Sequence, residues 1–186
     1  MAGSVCAVLL LANRATATSV RPVGFDELCE RAAIIFRGRV AGTSSVERRG
    51  TQNDPVIVTE VTFAVEKVLK GTTPSTTTLA LPGGRIGNRA LRVSGVPTLT
   101  VGERLVVFVA PEGSAFVPFV GVGQGVFRIE WDPETGADVI AASDLRRLRR
   151  AESRRAGSRN VRDRFAVGSA VLLLSRFEEQ IHALVP

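Results

Sequence analysis

Arginine is the residue type through which this sequence could do binding chemistry. The chain has 24 basic residues against 18 acidic ones, and only Lys67 and Lys70 are lysine. Nine arginines lie in the 19 residues from 146 to 164. Clustered guanidinium groups bind phosphate, sulfate or nucleic acid through charge-assisted hydrogen bonds that salt weakens. The candidate polyanion-binding residues are Arg146, Arg147, Arg149, Arg150, Arg154 and Arg155. The alternative is a solvated linker whose arginine content reflects GC-rich coding.

Two glycine-rich segments contain the other polar candidates. The segment from Pro82 to Pro97, PGGRIGNRALRVSGVP, is long enough for a functional loop and brackets a possible short strand from Ala90 to Val93. Its candidate partner contacts are Arg85, Asn88, Arg89 and Arg92. In GVGQG, Gln124 either satisfies backbone groups at a strand crossing or points into a binding groove. Neither segment has the spacing of a phosphate-binding loop between a strand and a helix, so hairpin turns are predicted.

The sequence contains few residues suited to catalysis or to metal binding. His182 is the only histidine, so a histidine-dependent hydrolase would have to use it, and it falls on the polar side of a terminal helix. A structural zinc site needs clustered His, Cys or carboxylate ligands that this chain lacks. The carboxylate pairs available to a glycosidase are Glu60 with Glu66 and Asp26 with Glu27. Glu60 and Glu66 lie on the outward face of a predicted strand, and we therefore expect no enzyme activity and no cofactor.

The elements that must position these residues are mostly strands. Short β-like runs separated by glycine and proline turns indicate a small barrel or sandwich. The predicted runs are Ala33 to Val40, Val56 to Leu69, Thr76 to Leu81, Leu105 to Ala110, Phe116 to Val122, Val126 to Trp131 and Ala137 to Ala142. In the second run the apolar face passes from Val65 to Val68, which predicts a bulge near Lys67. The segment WDPETGADV predicts a hairpin through Asp132 and Gly136.

The two ends of the chain differ from the middle. Ala2 to Ala12 is an apolar run followed by Ala15-Thr16-Ala17, a signal-peptide pattern without a basic start, so we expect residues 1–17 to direct export to the periplasm or medium. Cleavage would leave Cys29 alone, and its apolar neighbours favour a buried thiol. Residues 143–172 form an arginine-rich connector, either solvated or an exposed helix. Residues 173–186 predict an amphipathic helix with a capping box from Ser175 to Glu178 and an apolar face of Phe177, Ile181 and Leu184.

The order Phe-x-x-Leu-Cys-x-x-Ala from Phe25 to Ala32, followed by VTFAVEKVLKG from Val61 to Gly71, resembles the start of the netrin-like domain. That domain is the OB-fold module of tissue inhibitors of metalloproteinases, netrins and complement proteins. The span to about Ala142, with GE at Gly102 and VGVGQGVFRI from Val120, looks even more like a group of bacterial exported proteins of that type. The resemblance implies that residues 18–142 form an all-β, OB-fold-like small closed barrel. A short helical turn carrying Cys29 would precede its first strand, and a C-terminal helix would follow. The inhibitors bind zinc through an N-terminal cysteine, which Cys29 does not match.

These observations predict an exported, non-catalytic module that binds a protein or an anionic envelope polymer and has no membrane span. One alternative, implied by the resemblance, is an extracellular protease inhibitor acting through a barrel edge or the 82–97 loop. The other is a nucleic-acid-binding OB domain, which requires that the chain is not exported. Nucleic acid is the less favoured partner because the chain has one tryptophan, no tyrosine and phenylalanines that the core needs.

Overall fold

The structure is a computed structural model that describes residues 21–50, 53–113, 116–155 and 171–185. The elements in chain order are α1 (Phe25–Arg31), β1 (Ile34–Arg49), β2 (Pro55–Lys70), β3 (Thr76–Pro82), β4 (Gly84–Ile86), β5 (Arg89–Leu91), β6 (Arg104–Val109), β7 (Val126–Asp132), β8 (Ala137–Ile140), α2 (Ala142–Arg155), β9 (Leu172–Leu173) and α3 (Leu174–His182). No described helix is both long and apolar enough to cross a membrane. The predicted signal peptide, residues 1–17, and connector residues 156–170 lie outside the described residues.

Seven strands form one antiparallel sheet in the order β3-β2-β1-β6-β7-β8-β9, and β4 pairs with β5 in a separate hairpin. The fold is therefore mostly β with a C-terminal helix, as predicted. The predicted hairpin after Trp131 is confirmed, because Trp131 pairs with Asp138 and Asp132 with Ala137. The short strand expected from Ala90 is β5, one residue earlier than its predicted start.

The long β1–β2 hairpin bends through bulges, as expected near Lys67. The register skips Leu69 and Glu66 on β2 and Ala41 on β1, and each extra residue increases the local twist. The bulges also correct the predicted apolar face. Val68 is exposed, whereas Leu69 is buried, because the shift turns Leu69 toward the core instead.

The central strand β6 is buried on both faces. Its Val106 and Phe108 belong to a cluster covered by the three helices, while Leu105, Val107 and Val109 face a second cluster on the opposite side. A strand buried on both sides consists of continuous apolar residues, as in the sequence LVVFV. This strand divides the molecule into a helix face and an inner face.

The helix face is organised around Phe177 of α3, which is fully buried. Its ring lies 5.2 Å from that of Phe25 in α1 and 4.9 Å from that of Phe127 in β7, both in tilted arrangements. Ile181 is also buried, and Leu184 packs against the same cluster, so the predicted apolar face of the terminal helix is confirmed. The capping box is wrong: α3 begins at Leu174, which places Ser175 inside the helix.

Glu178 has a different role from the predicted cap. It is buried, and its carboxylate accepts hydrogen bonds from Arg37 of β1 at 2.7 Å and Lys67 of β2 at 2.6 Å. Arg37 also reaches Glu66, which pairs with Arg104. Arg104 is tied to Asp138 of β8, and that hydrogen bond raises the pKa of the Arg104 guanidinium above its usual value. The network joins α3 to four strands.

Two further expectations differ from the structure. Among the described strands, no pairing joins edge strand β3 to β7, β8 or β9, so the predicted closed barrel is not observed. The inner face is covered instead by the β4–β5 hairpin and by residues 93–99, with Leu99 buried in its cluster. The run from Phe116 to Val122 forms bends and turns with a single bridge from Phe119 to Val109, because Pro118 and Gly121 interrupt a ladder.

Candidate anion-binding site

Helix α2 forms from the first part of the arginine-rich segment. Leu145, Leu148 and Ala151, spaced three residues apart, are buried and hold one side of the helix against the core. Glu152 accepts a hydrogen bond from the backbone N–H of Phe25 and so joins α2 to the start of α1. Residues 142–155 are thus a packed amphipathic helix, and neither a solvated linker nor a wholly exposed helix describes them.

The opposite side of α2 presents arginines to a cavity. Arg146, Arg150 and Arg154 follow each other at intervals of four residues, which places them in one row along a helix face. They line a cavity of about 820 Å³. Its remaining lining comes from Pro22, Gly95, Pro97, Gly121, Val122, Gly123, Gln124, Arg128, Ser143, Arg147 and Ala151. We call this space the arginine cleft.

The wall facing α2 is built from two loops in close contact. Residues 93–99, which we call the strap, pass beside the turn from Gly121 to Gly125. A Cβ atom on Gly123 would lie 2.5 Å from the carbonyl oxygen of Gly95, so a side chain there would force the loops apart. Val122 adopts a φ of 68°, which is strained for a β-branched residue. The strap and this turn form one compact wall.

Two arginines of the cleft are held by the protein itself. Arg147 donates hydrogen bonds to the carbonyl oxygens of Val126 at 2.7 Å and Gln124 at 3.3 Å, and its guanidinium lies over the Phe127 ring. Burial lowers the pKa of Arg147 below its ordinary value, but an arginine stays charged at neutral pH. Arg128 of β7 donates to the Thr98 carbonyl oxygen at 3.3 Å, which ties the strap to the sheet.

Asp144, in the first turn of α2, is the acidic residue beside the two held arginines of the cleft. It is buried, and its carboxylate accepts a hydrogen bond from the backbone N–H of Arg128 at 2.8 Å. The same carboxylate lies 3.5 Å from the Arg147 guanidinium and 3.9 Å from that of Arg128. Asp144 therefore offsets part of the charge of these two held arginines.

The row on α2 has no such compensation. Within the described ranges, no acidic side chain lies within ion-pair distance of Arg146, Arg150 or Arg154, and all three are exposed. Uncompensated guanidinium groups around a concave surface concentrate positive potential and attract anions. The cleft can therefore bind a ligand with several negative groups, and its lining contains the Ser143 hydroxyl but no histidine or carboxylate beside it.

Other predicted site residues lie elsewhere. Arg149 is on α2 but does not line the cleft, and Arg155 is its last residue. Gln124 has both of the roles that the sequence allowed. It satisfies backbone groups, because its side-chain oxygen accepts a hydrogen bond from the Val23 N–H at 2.9 Å and its side-chain nitrogen donates to the Arg21 carbonyl at 3.0 Å. It also lines the cleft. The predicted loop residues Arg85, Asn88, Arg89 and Arg92 belong to the β4–β5 hairpin and the residue after it, away from this cleft.

Sequence reasoning did not identify Arg128 or the strap as parts of the site. Arg128 stands alone between Phe127 and Ile129, and an isolated arginine at an alternating strand position carries no signal beyond outward placement. Most of the strap falls in the 82–97 loop, which the sequence suggested as a separate partner-binding surface. Only the packing of the strap against the Gly121–Gly125 turn brings these parts together.

The residues weighed for catalysis do not assemble into a site. His182 is exposed on α3, and the side chain of Cys29 is buried. Glu60 is paired with Arg48, and Glu66 belongs to the network around Arg37. Among the described residues, no group of three His, Cys, Asp or Glu side chains could hold a metal ion. Comparison with protein-family models and with curated protein sequences gives no match.

Proposed function

We propose that this chain is a non-catalytic binding module for an anionic polymer, and that the arginine cleft is its binding site. The observation that carries the proposal is the row of Arg146, Arg150 and Arg154. This row lacks acidic partners in the described structure and faces a cavity whose other wall is formed by the strap and the Gly121–Gly125 turn. A cleft that already holds Arg128 and Arg147 in fixed positions adds preorganised positive charge behind that row.

The spacing of the row favours a polymer over a single small anion. A helix rises about 1.5 Å per residue, so Arg146 and Arg154 are about 12 Å apart along the axis. One phosphate or sulfate covers only part of a row of that length. A chain with repeated anionic groups can, and each contact adds salt-sensitive affinity.

The lining argues against single-stranded nucleic acid. Stacking of bases on aromatic side chains supplies much of the affinity of such sites. The cleft has no aromatic residue in its lining, and Phe127 lies under Arg147 in the core. The export predicted for residues 1–17 would make an anionic envelope polymer the natural partner, and this part of the proposal rests on the sequence alone.

The netrin-like resemblance also belongs to the proposal. The order β3-β2-β1-β6-β7 is compatible with a partly open OB-type barrel, and α1 precedes the first strand as the resemblance implies. A protease inhibitor acting through the β4–β5 hairpin is the second candidate, since this hairpin is exposed and is held to β1 by the Arg89–Glu47 ion pair and by the Arg85 N–H, which donates to the Ser45 hydroxyl. Within the described residues, the hairpin lacks the row of unpaired arginines that lines the arginine cleft. The binding module is therefore the better supported function.

The test compares two triple variants with equal charge changes. The first is Arg146→Gln with Arg150→Gln and Arg154→Gln, and the matched control is Arg39→Gln with Arg49→Gln and Arg176→Gln, three exposed arginines on other surfaces. Heparin and lipopolysaccharide serve as the anionic probes, and affinity is measured across a range of NaCl concentrations. We expect the cleft variant to lose at least tenfold in affinity and to show a salt slope lower by about two to three.

The control should change affinity by less than about threefold, because general electrostatic attraction is screened by salt beyond about 10 Å. Equal losses in both variants would mean that net charge alone drives retention. Unchanged binding by the cleft variant would remove α2 from the site. Either result would overturn the proposal.

A further inference from the structure

A second cavity lies on the inner face of the sheet, beneath the β4–β5 hairpin. Its volume is about 470 Å³, within the range of small-molecule sites. Its walls are strands β1 to β3, the hairpin and the strap, and its apolar lining is Val61, Leu81, Pro82, Ala90, Leu91, Val93, Val96, Pro97 and Leu99. The strap separates this cavity from the arginine cleft, since Pro97 lines both.

Two of the three hydroxyl groups that line this cavity, those of Ser45 and Thr59, are already engaged. The Thr59 hydroxyl donates to the Gly83 carbonyl oxygen at 2.8 Å. The Ser45 hydroxyl lies 3.3 Å from the Thr59 hydroxyl and accepts a hydrogen bond from the Arg85 N–H at 3.2 Å. These bonds attach the hairpin to β1 and β2. They leave the apolar side chains, Thr98 and the two rim arginines to contact a ligand.

The apolar lining is partly open to solvent. Leu91 is 40% exposed although it is a large aliphatic residue on a strand, and Val93 and Val96 beside it are only half-buried. Covering them with an aliphatic ligand would remove apolar surface from water, at about 25 cal/mol per Å². A cavity of this composition binds chains or rings of carbon atoms.

The polar groups at the rim are cationic. Arg85 and Arg92 line the cavity, and no acidic side chain does. The Arg85 Nε donates to the Gly87 carbonyl, while Arg92 has no partner among the described residues. An apolar interior beneath two arginines is complementary to an aliphatic chain with one negative end.

We propose that this cavity binds an amphipathic monoanion, a single aliphatic chain that ends in a carboxylate. The carboxylate lies between Arg85 and Arg92 at the rim, and the chain covers Leu91, Val93 and Val96. The cavity volume suits one chain of moderate length and is too small for a two-chain lipid. This site is independent of the arginine cleft and of its polymer.

Isothermal titration with decanoate tests the proposal, with decanol as the uncharged comparison. Decanoate should bind saturably and at least fivefold more tightly than decanol. Arg92→Gln should weaken decanoate binding about tenfold and leave decanol unchanged, because a hydrogen bond to a charged group has about that effect. The matched control is Arg39→Gln, which removes the same charge from an exposed residue outside the lining and should change little.

Two more variants make the result decisive. Leu91→Gln changes an exposed residue and should weaken both ligands, since it removes apolar contact area. The triple variant of Arg146, Arg150 and Arg154 should bind decanoate normally. Absence of saturable binding, equal affinity for decanoate and decanol, or loss of decanoate binding in the α2 variant would each overturn the proposal. None of these outcomes depends on whether the cleft binds a polymer.

Discussion

Removal of the Asp144 carboxylate should lower stability and raise anion affinity. Asp144→Ala deprives the backbone N–H of Arg128 of its acceptor and leaves the Arg147 guanidinium without its nearest carboxylate. A lost hydrogen bond to a charged group costs about 1.5–3 kcal/mol. The two ion pairs add less than about 1 kcal/mol each, because Arg128 and Arg147 are about one-third exposed. We therefore expect a loss of about 3 kcal/mol.

Urea unfolding of the full chain, followed by circular dichroism, measures this loss. For a protein of this size about 3 kcal/mol corresponds to a decrease of roughly 6–12 °C in Tm. Asp144→Asn keeps an acceptor for the Arg128 N–H and should lose about half as much. The control is Glu103→Gln, which removes the same charge from a half-buried partner of Arg128 and should cost less than about 1 kcal/mol.

The affinity change has the opposite sign. With the carboxylate neutralised, Arg147 loses its acidic partner and Arg128 keeps only Glu103, so heparin should bind to Asp144→Asn up to about fivefold more tightly, equivalent to about 1 kcal/mol. Weaker binding by a folded Asp144→Asn would show that Asp144 positions the site and does not merely offset its charge. A stability loss below about 0.5 kcal/mol in Asp144→Ala would also refute the argument that the Asp144 carboxylate stabilises the fold through the Arg128 N–H.

Three further changes test the fold around the site. Phe177→Ala should lower the free energy of unfolding by about 3–5 kcal/mol, because it leaves a cavity beside Phe127, and a loss below 2 kcal/mol in urea unfolding would contradict this. Val122→Gly should be about 1 kcal/mol more stable than Val122→Ala in the same assay, since only glycine relieves the positive φ, and equal stabilities would show that no strain is present. Gln124→Met removes the acceptor of the Val23 N–H, whereas Gln124→Glu keeps an oxygen there, so hydrogen exchange at the Val23 amide should be faster in Gln124→Met, and equal exchange in the two variants would contradict this hydrogen bond.

The strands could be predicted because their signal is local. Alternation along β2 and the turn residues between Trp131 and Ala137 describe each strand or hairpin from its own residues, and the structure confirms them. The bulge near Lys67 was visible as a break in that alternation. The choice of Val68 over Leu69 as the buried residue was wrong, because a second skipped residue on the same strand reverses the face and leaves no separate mark in the pattern.

Predictions that depended on distant partners did less well. Ser175 followed by Glu178 has the spacing of a capping box, but Glu178 instead meets Arg37 and Lys67, which are more than one hundred residues away. In the arginine-rich segment, the many charged residues predicted a solvated connector, and the spacing of Leu145 and Leu148, which marks the buried side of a helix, was not recognised. A short pattern cannot show which of two possible partners a side chain will meet.

By itself, the sequence determined the strand content, the terminal helix with its apolar face, the buried thiol and the concentration of arginine near the C-terminal end. These properties depend on residue type and on near neighbours. The tertiary structure decided which arginines act together. Arg147 and Arg128 are turned inward and paired, Arg149 lies outside the cleft, and Arg146, Arg150 and Arg154 face the strap from across the chain. A guanidinium group is charged wherever it stands, but its availability to a ligand depends on carboxylates and carbonyls that only folding brings near it.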